Sequence, residues 1–249
     1  MLSFKQFISE GIEDRGIFKA IFLCGSPGAG KSTARVKIDD PKISPRVINT
    51  DDAYEFLVGK HKMHFSTDEE AELSWLFLKD KSKVLTKDRL ALYLNGALPL
   101  IVDGTSSNPS SLLLRVGILE SLGYDVGMIY IETNVETSLL NVEDRARKEG
   151  RKVPEAAVRK MHAETEHLAE YYKSKFDFYL KIKNNRGELT NEVVIDAYKK
   201  AKSFFEAEVQ NPIGKKAIDT LKHYKEKVLI PNILDKSELA KKVDGWYRK

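Results

Sequence analysis

The spacing of apolar positions along the chain changes several times, and each change marks a new element. Residues 18–24 are short, mostly apolar and end at Gly25, which reads as a buried strand. Residues 32–38 suit a helix. "RVINTDD", residues 46–52, reads as a second strand that ends in two aspartates. Residues 68–95 are helical by composition, with Gly96 as the stop, and "LPLIVDGT", residues 98–105, is a third strand. A helix over 109–122 is stopped by Gly123, a fourth strand runs over 125–133, and a helix over 135–149 is stopped by Gly150. Pro154 opens the next helix at its first position. There Val158, Met161, Thr165, Leu168 and Tyr172 follow a three-and-four spacing, and residues 176–182 form a fifth strand. Strands that alternate with helices predict an α/β fold: a parallel five-stranded sheet with helices on both faces.

The pattern changes near Asn184. "NNRGELTNE" is polar and turn-rich, and only helical patterns follow it. Val194, Tyr198, Ala201 and Phe205 form one stripe, and Ala217, Leu221, Tyr224 and Val228 a second. Residues 235–247 form a third helix, with Asp235 and Glu238 placed as a capping box. The expected organisation is a leader over 1–15, a core over 16–185 and a C-terminal helical appendage over 186–249.

Composition narrows the class. Hydrophobic residues make up 42% of 249, enough for a packed core. The one cysteine, Cys24, excludes an intrachain disulfide and suits a reducing cytoplasm. No apolar run approaches the roughly 20 residues that span a bilayer, so no membrane partner is expected. The leader "MLSFKQFISEG" is no secretory signal, because Lys5, Gln6 and Glu10 interrupt its apolar centre. The net charge of +4 resides in residues 190–249, where 13 Lys/Arg face 9 Asp/Glu. That excess is too thin for a nucleic-acid arm and reads as a solvated helical surface.

The chemistry concentrates in "CGSPGAGKST", residues 24–33. Gly25, Gly30, Lys31 and Ser32 satisfy G-x-x-x-x-G-K-[ST] between a predicted strand and a predicted helix. The residues of such a loop, Gly25, Ser26, Gly28, Ala29, Gly30, Lys31, Ser32 and Thr33, wrap their backbone N–H groups around phosphate oxygens, and the helix behind adds its positive end. Lys31 reaches the outer phosphates, and the Ser32 hydroxyl is placed to ligate Mg²⁺. A dinucleotide fingerprint fits poorly, because Thr33 stands where a third glycine is needed.

Three further features ask where a terminal phosphate would go. Asp103 ends the third strand, as a carboxylate holding Mg²⁺ does, and Gly104 follows where a motor ATPase carries a water-positioning glutamate. Asp51 and Asp52 end the second strand at the same sheet edge. Asp51, nearer the strand end, is the candidate base for an attacking hydroxyl, and Asp52 could cap the following helix. "EDRARKEGRKVPEAAVRK", residues 143–160, crowds Arg145, Arg147, Lys148, Arg151 and Lys152 into a helix end and loop. A hinged basic lid of this kind spreads charge over a transferring phosphoryl group and excludes water. Trp75 and Phe77 are expected in the core, Cys24 as a small buried apolar group, and the five histidines at scattered surface or core positions.

The blocks "GSPGAGKST", "VINTDDAY", "LIVDGTSSN" and "RARKEGRKVP", in that order, resemble P-loop kinases of the polynucleotide 5′-kinase and zeta-toxin type. They are also similar to uncharacterised kinase-like proteins encoded by bacteriophages, and the "SFKQFI-E" leader looks like those opening many tailed-bacteriophage proteins. The resemblance covers residues 18–182. It implies an adenylate-kinase-like P-loop core, Mg-ATP as donor, a base at Asp51, a magnesium-side carboxylate at Asp103, and lid arginines among Arg145, Arg147 and Arg151. It leaves the acceptor open among nucleic-acid 5′ ends, nucleotide sugars, small metabolites and protein hydroxyls, with a phage or host protein partner for the C-terminal helices. The D-x-D-x-T/V motif of an attached phosphatase is missing from the sequence. The competing expectation is a nucleotide-dependent interaction or virion-associated protein with little catalysis. Deleting residues 190–249 separates the two if the core alone is the enzyme.

Overall fold

The computed structural model describes residues 14–61, 63, 68–149, 153–185 and 190–224. Strand β1 (Lys19–Cys24) is buried along its whole length. Its period of two sends Ala20, Phe22 and Cys24 into one apolar cluster and Ile21 and Leu23 into another on the opposite face. A strand buried on both faces belongs in the middle of a parallel sheet. β1 accordingly lies between β3 (Leu100–Asp103) and β4 (Asp125–Glu132), with β2 (Arg46–Ile48) and β5 (Phe178–Lys183) at the edges. The order is β2-β3-β1-β4-β5 and every pair is parallel.

Helices cover both faces. On one, Ala34 and Ile38 of α1 (Lys31–Ile38) join Ala197, Ala201 and Phe205 of α7 (Asn191–Glu206) against Ile21 and Leu23. On the other, α4 (Pro109–Ser121) contributes Leu112, Val116 and Leu119, and α6 (Glu155–Lys173) contributes Ala169 and Tyr172. Ala217 and Ile218 of α8 (Pro212–Tyr224) and Leu90, Tyr93 and Leu94 of α3 (Asp68–Asn95) pack against that cluster. The α2 helix (Thr50–Lys60) packs on α3, and α5 (Val135–Glu149) on α6.

Two buried charges tie the C-terminal helices to this sheet. Lys19 Nζ donates to Asp125 Oδ2 at 2.8 Å and to the Glu208 carbonyl at 3.1 Å. The Asp125 carboxylate also accepts the Gln210 and Asn211 N–H groups, so the α7–α8 connection is clasped to the start of β1 and β4. Asp40, after α1, accepts from Tyr198 Oη at 2.7 Å, Lys202 Nζ at 2.9 Å and the Lys42 N–H at 2.8 Å. The boundary expected near residue 185 falls between β5 and α7. Across it α7 supplies Ala197, Ala201 and Phe205 to the core.

Three local expectations change. β2 ends at Ile48, ahead of both aspartates, because Asn49 caps α2 and turns Thr50 onward into helix. Pro154 is the N-cap of α6 rather than its first helical residue. Phe77 is 64% exposed on α3, while Trp75 packs edge-on to Tyr54 with ring centres 5.0 Å apart. Residues 1–13 of the expected leader and the helix expected over 235–247 lie outside the described residues.

Candidate active site

The loop between β1 and α1 has the shape its glycines permit. Gly28 (φ 78°) and Gly30 (φ 91°) occupy left-handed backbone, which favours glycine. A Cβ at Gly28 would strike the Ser138 carbonyl on α5, and one at Gly30 the Asn184 side-chain amide. Those neighbours also fasten the loop. Asn141 Nδ2 donates to the Gly28 carbonyl at 2.8 Å, and Asn184 Nδ2 to the Ala29 carbonyl at 2.6 Å. In a trans peptide C=O and N–H oppose each other, so drawing the Ala29 carbonyl toward Asn184 turns the Gly30 N–H the other way. Ser26 Oγ meets Ser138 Oγ at 2.9 Å beneath the loop.

Lys31 opens α1, and its Nζ donates to the Gly25 carbonyl at 2.8 Å and the Ser26 carbonyl at 2.9 Å. Burial pushes its pKa below the ordinary lysine value, with the Asp103 carboxylate opposing. Behind it, burial pushes the Cys24 thiol up to about 12, so the thiol stays protonated and acts as the small apolar group its position predicts.

The carboxylates come from β3 and from the first turn of α2. Asp103 pairs in register with Leu23, so it stands beside the start of the phosphate loop. Its side chain is 4% exposed; it accepts from Asn49 Nδ2 at 3.1 Å and lies 3.6 Å from an Arg35 guanidinium nitrogen. Burial raises its pKa, while Lys31 and then Arg35 pull it down. Asp52 does not cap α2; it takes the Arg35 guanidinium at 2.8 Å. Asp51 donates its backbone N–H to Asn49 Oδ1 at 2.8 Å, and its side chain lines the same cleft as Lys31 and Asp103.

That cleft has a volume of about 1120 Å³. It gathers Gly28, Gly30, Lys31, Ser32, Thr33, Asp51, Asp103 and Arg145 from the residues the sequence nominates. Arg145 reaches in from α5 and pairs with Glu55 of α2 at 3.2 Å. Arg147 does not line the cleft: it is exposed and pairs with Glu143 and Asp144 on its own helix. Arg151 lies outside the described residues. Arg35, Asn49, Arg115, Asn141 and Asn184 line the cleft without having been nominated. Arg35 was within reach of sequence reasoning, since it sits four residues after Lys31 and shares its helix face. Asn141 and Asn184 gave no local signal, because each meets the loop across more than a hundred residues.

Among the described residues no group of three or more His, Cys, Asp or Glu side chains gathers as a metal centre. Mg²⁺ asks for less: it usually binds through one or two protein oxygens plus substrate phosphates. The Ser32 hydroxyl and the buried Asp103 carboxylate, both hard oxygen donors on this cleft, fit that demand.

The zeta toxin family model matches residues 9–192. The chain belongs to the zeta toxin family. In fold this zeta toxin family member is similar to a protein of the PezAT chromosomal toxin–antitoxin system of Streptococcus pneumoniae. They share 18% identity over 91% of this chain and 93% of that chain, with a TM-score of 0.53. It is also similar to AvrRxo1-ORF1:-ORF2 with ATP, at 15% identity over 88% and 78% of the two chains and a TM-score of 0.53. A chain of the Pnkp1/Rnl/Hen1 RNA repair complex shares 25% identity with a TM-score of 0.47. The match covers 64% of this chain and 46% of that chain, so this zeta toxin family member spans under half of that protein. No curated protein matches the sequence. Family and fold together give the chain a zeta-toxin-like P-loop kinase fold. Among the described residues no helix is long and apolar enough to cross a membrane.

Proposed function

We propose that the protein is an ATP-dependent kinase that moves the γ-phosphoryl group to a hydroxyl of a second substrate. The observation that carries this reading is the shared cleft: Asp51, Lys31 and Arg145 all line the space in front of the phosphate loop. A volume of about 1120 Å³ exceeds what one ligand of ordinary size fills, so a nucleotide and an acceptor fit together. ATP as donor is further supported by the fold neighbour whose structure was determined with ATP.

In this reading the loop N–H groups and Lys31 hold the phosphates and the start of α1 adds its positive end. Ser32 and Asp103 would hold Mg²⁺, which when bound would neutralise charge on the phosphate oxygens. Asp51 accepts the proton of the acceptor hydroxyl as its oxygen bonds to phosphorus and the bond to the leaving ADP breaks. Arg145 exchanges Glu55 for the transferring group and stabilises the charge that spreads over it. The acceptor belongs to the hydroxyl compounds: nucleic-acid 5′ ends, nucleotide sugars, small metabolites or protein side chains.

The test is incubation with γ-labelled ATP and pools of these acceptors. Asp51→Asn is expected to keep nucleotide binding and to lose about 10²- to 10⁴-fold in turnover, the range for acid–base assistance. Lys31→Ala is expected to lose binding and turnover together. Normal turnover by Asp51→Asn overturns the assignment of the base.

A further inference from the structure

One side chain touches both halves of the proposed machinery. Asn49 lies between β2 and α2 with extended backbone (φ −142°, ψ 126°). Its Oδ1 accepts the N–H of Asp51 at 2.8 Å, and its Nδ2 donates to Asp103 Oδ2 at 3.1 Å. The two bonds fix the orientation of the amide, because only the oxygen can accept and only the nitrogen can donate. They also join parts of the chain 54 residues apart: the first turn of α2 and the end of β3. A helix cap needs only the first of these bonds. Serine or aspartate would supply that bond equally well, but only an amide supplies a donor on its other arm.

We infer that Asn49 is a positioning residue that sets where Asp51 stands relative to Asp103, and hence the acceptor relative to the metal-bound phosphate. This rests on the kinase reading above. Both arms of the Asn49 amide are spent on protein groups; they register α2 against β3 so that the base and the magnesium-side carboxylate keep one separation. Arg35 supports the same register from the phosphate-loop side: it holds Asp52 at 2.8 Å, one residue after Asp51. Arg35 can stay on Asp52 without Asn49, but the Asp103 carboxylate then loses the only uncharged donor that fixes its rotation among the described residues.

Asn49→Ser separates positioning from capping. Serine keeps the cap, so thermal stability should change little, whereas the bond to Asp103 is beyond its reach. Turnover should fall about 10- to 100-fold, since misplacing a reacting group by an ångström costs up to that much. A second measurement needs no turnover: affinity of Mn²⁺ for the protein–ADP complex, followed by electron paramagnetic resonance, should fall about tenfold when the ligating carboxylate loses its partner. Wild-type turnover or wild-type Mn²⁺ affinity in a folded Asn49→Ser protein overturns the inference and leaves Asn49 a helix cap. If the wild-type protein phosphorylates no acceptor, the kinase reading fails by itself, and the Mn²⁺ measurement alone decides the role of Asn49.

Discussion

A single methyl group at position 28 is enough to spoil the phosphate loop. Gly28 sits at φ 78° with the Ser138 carbonyl where a Cβ would go, so alanine meets both an unfavourable backbone and a backbone atom that cannot swing aside. Gly28→Ala is expected to weaken nucleotide binding at least tenfold and to lower stability by about 1–3 kcal/mol. Calorimetric titration with ATP and thermal unfolding check the two parts. The same scale explains Lys31. Its ammonium is buried against loop carbonyls and Asp103 depresses its protonation cost only in part, so its environment favours an arriving anion.

Among the elements, the Asp40 cluster sets how α7 holds to α1. The Tyr198 hydroxyl, then Lys202, then the Lys42 N–H, hold the Asp40 carboxyl well below the ordinary carboxylate range. A folded-state pKa that lies below the unfolded one gives stability that is present above the unfolded value, about 3.9. It is lost as pH falls from there through the folded value. Asp40→Asn is therefore expected to cost about 2 kcal/mol near neutrality, the scale of hydrogen bonds to a charged group. The gap between variant and wild type should close below about pH 4. Thermal unfolding of both proteins across pH 2–8 measures it. The two side-chain partners of Asp40 reach it across 158 and 162 positions of chain, and nothing in the "IDDPK" segment announces them. The α3 helix shows the converse: its apolar content suggested two core aromatics, but period and register put Phe77 outward and only Trp75 against Tyr54.

For the whole molecule, the C-terminal helices are part of what keeps the sheet together. Ending the chain at residue 190 removes Ala197, Ala201 and Phe205 from one apolar cluster and the Glu208 carbonyl from buried Lys19. That truncation is expected to yield unfolded or aggregated protein, rather than the active core expected from sequence. Ending the chain at Tyr224 keeps every described contact. Circular dichroism and unfolding of the two truncations check this, and a stable, active chain ending at residue 190 would show α7 to be dispensable.

What the sequence determined on its own was everything that depends on neighbours in the chain. Apolar period, glycine stops and the G-x-x-x-x-G-K-S spacing act over a few residues, so strands, helices and the phosphate loop were legible, and so was the sheet edge that carries Asp103. The tertiary structure decided what depends on distant partners meeting. It turned the end of "RVINTDD" into a capped helix, assigned Asp52 to Arg35, and brought Arg145 but not Arg147 to the cleft. It also put Asn141 and Asn184 behind the loop. The physical reason is that backbone preference is local, whereas hydrogen-bond and ion-pair partners are chosen only after packing has brought separate elements within about 3 Å of one another.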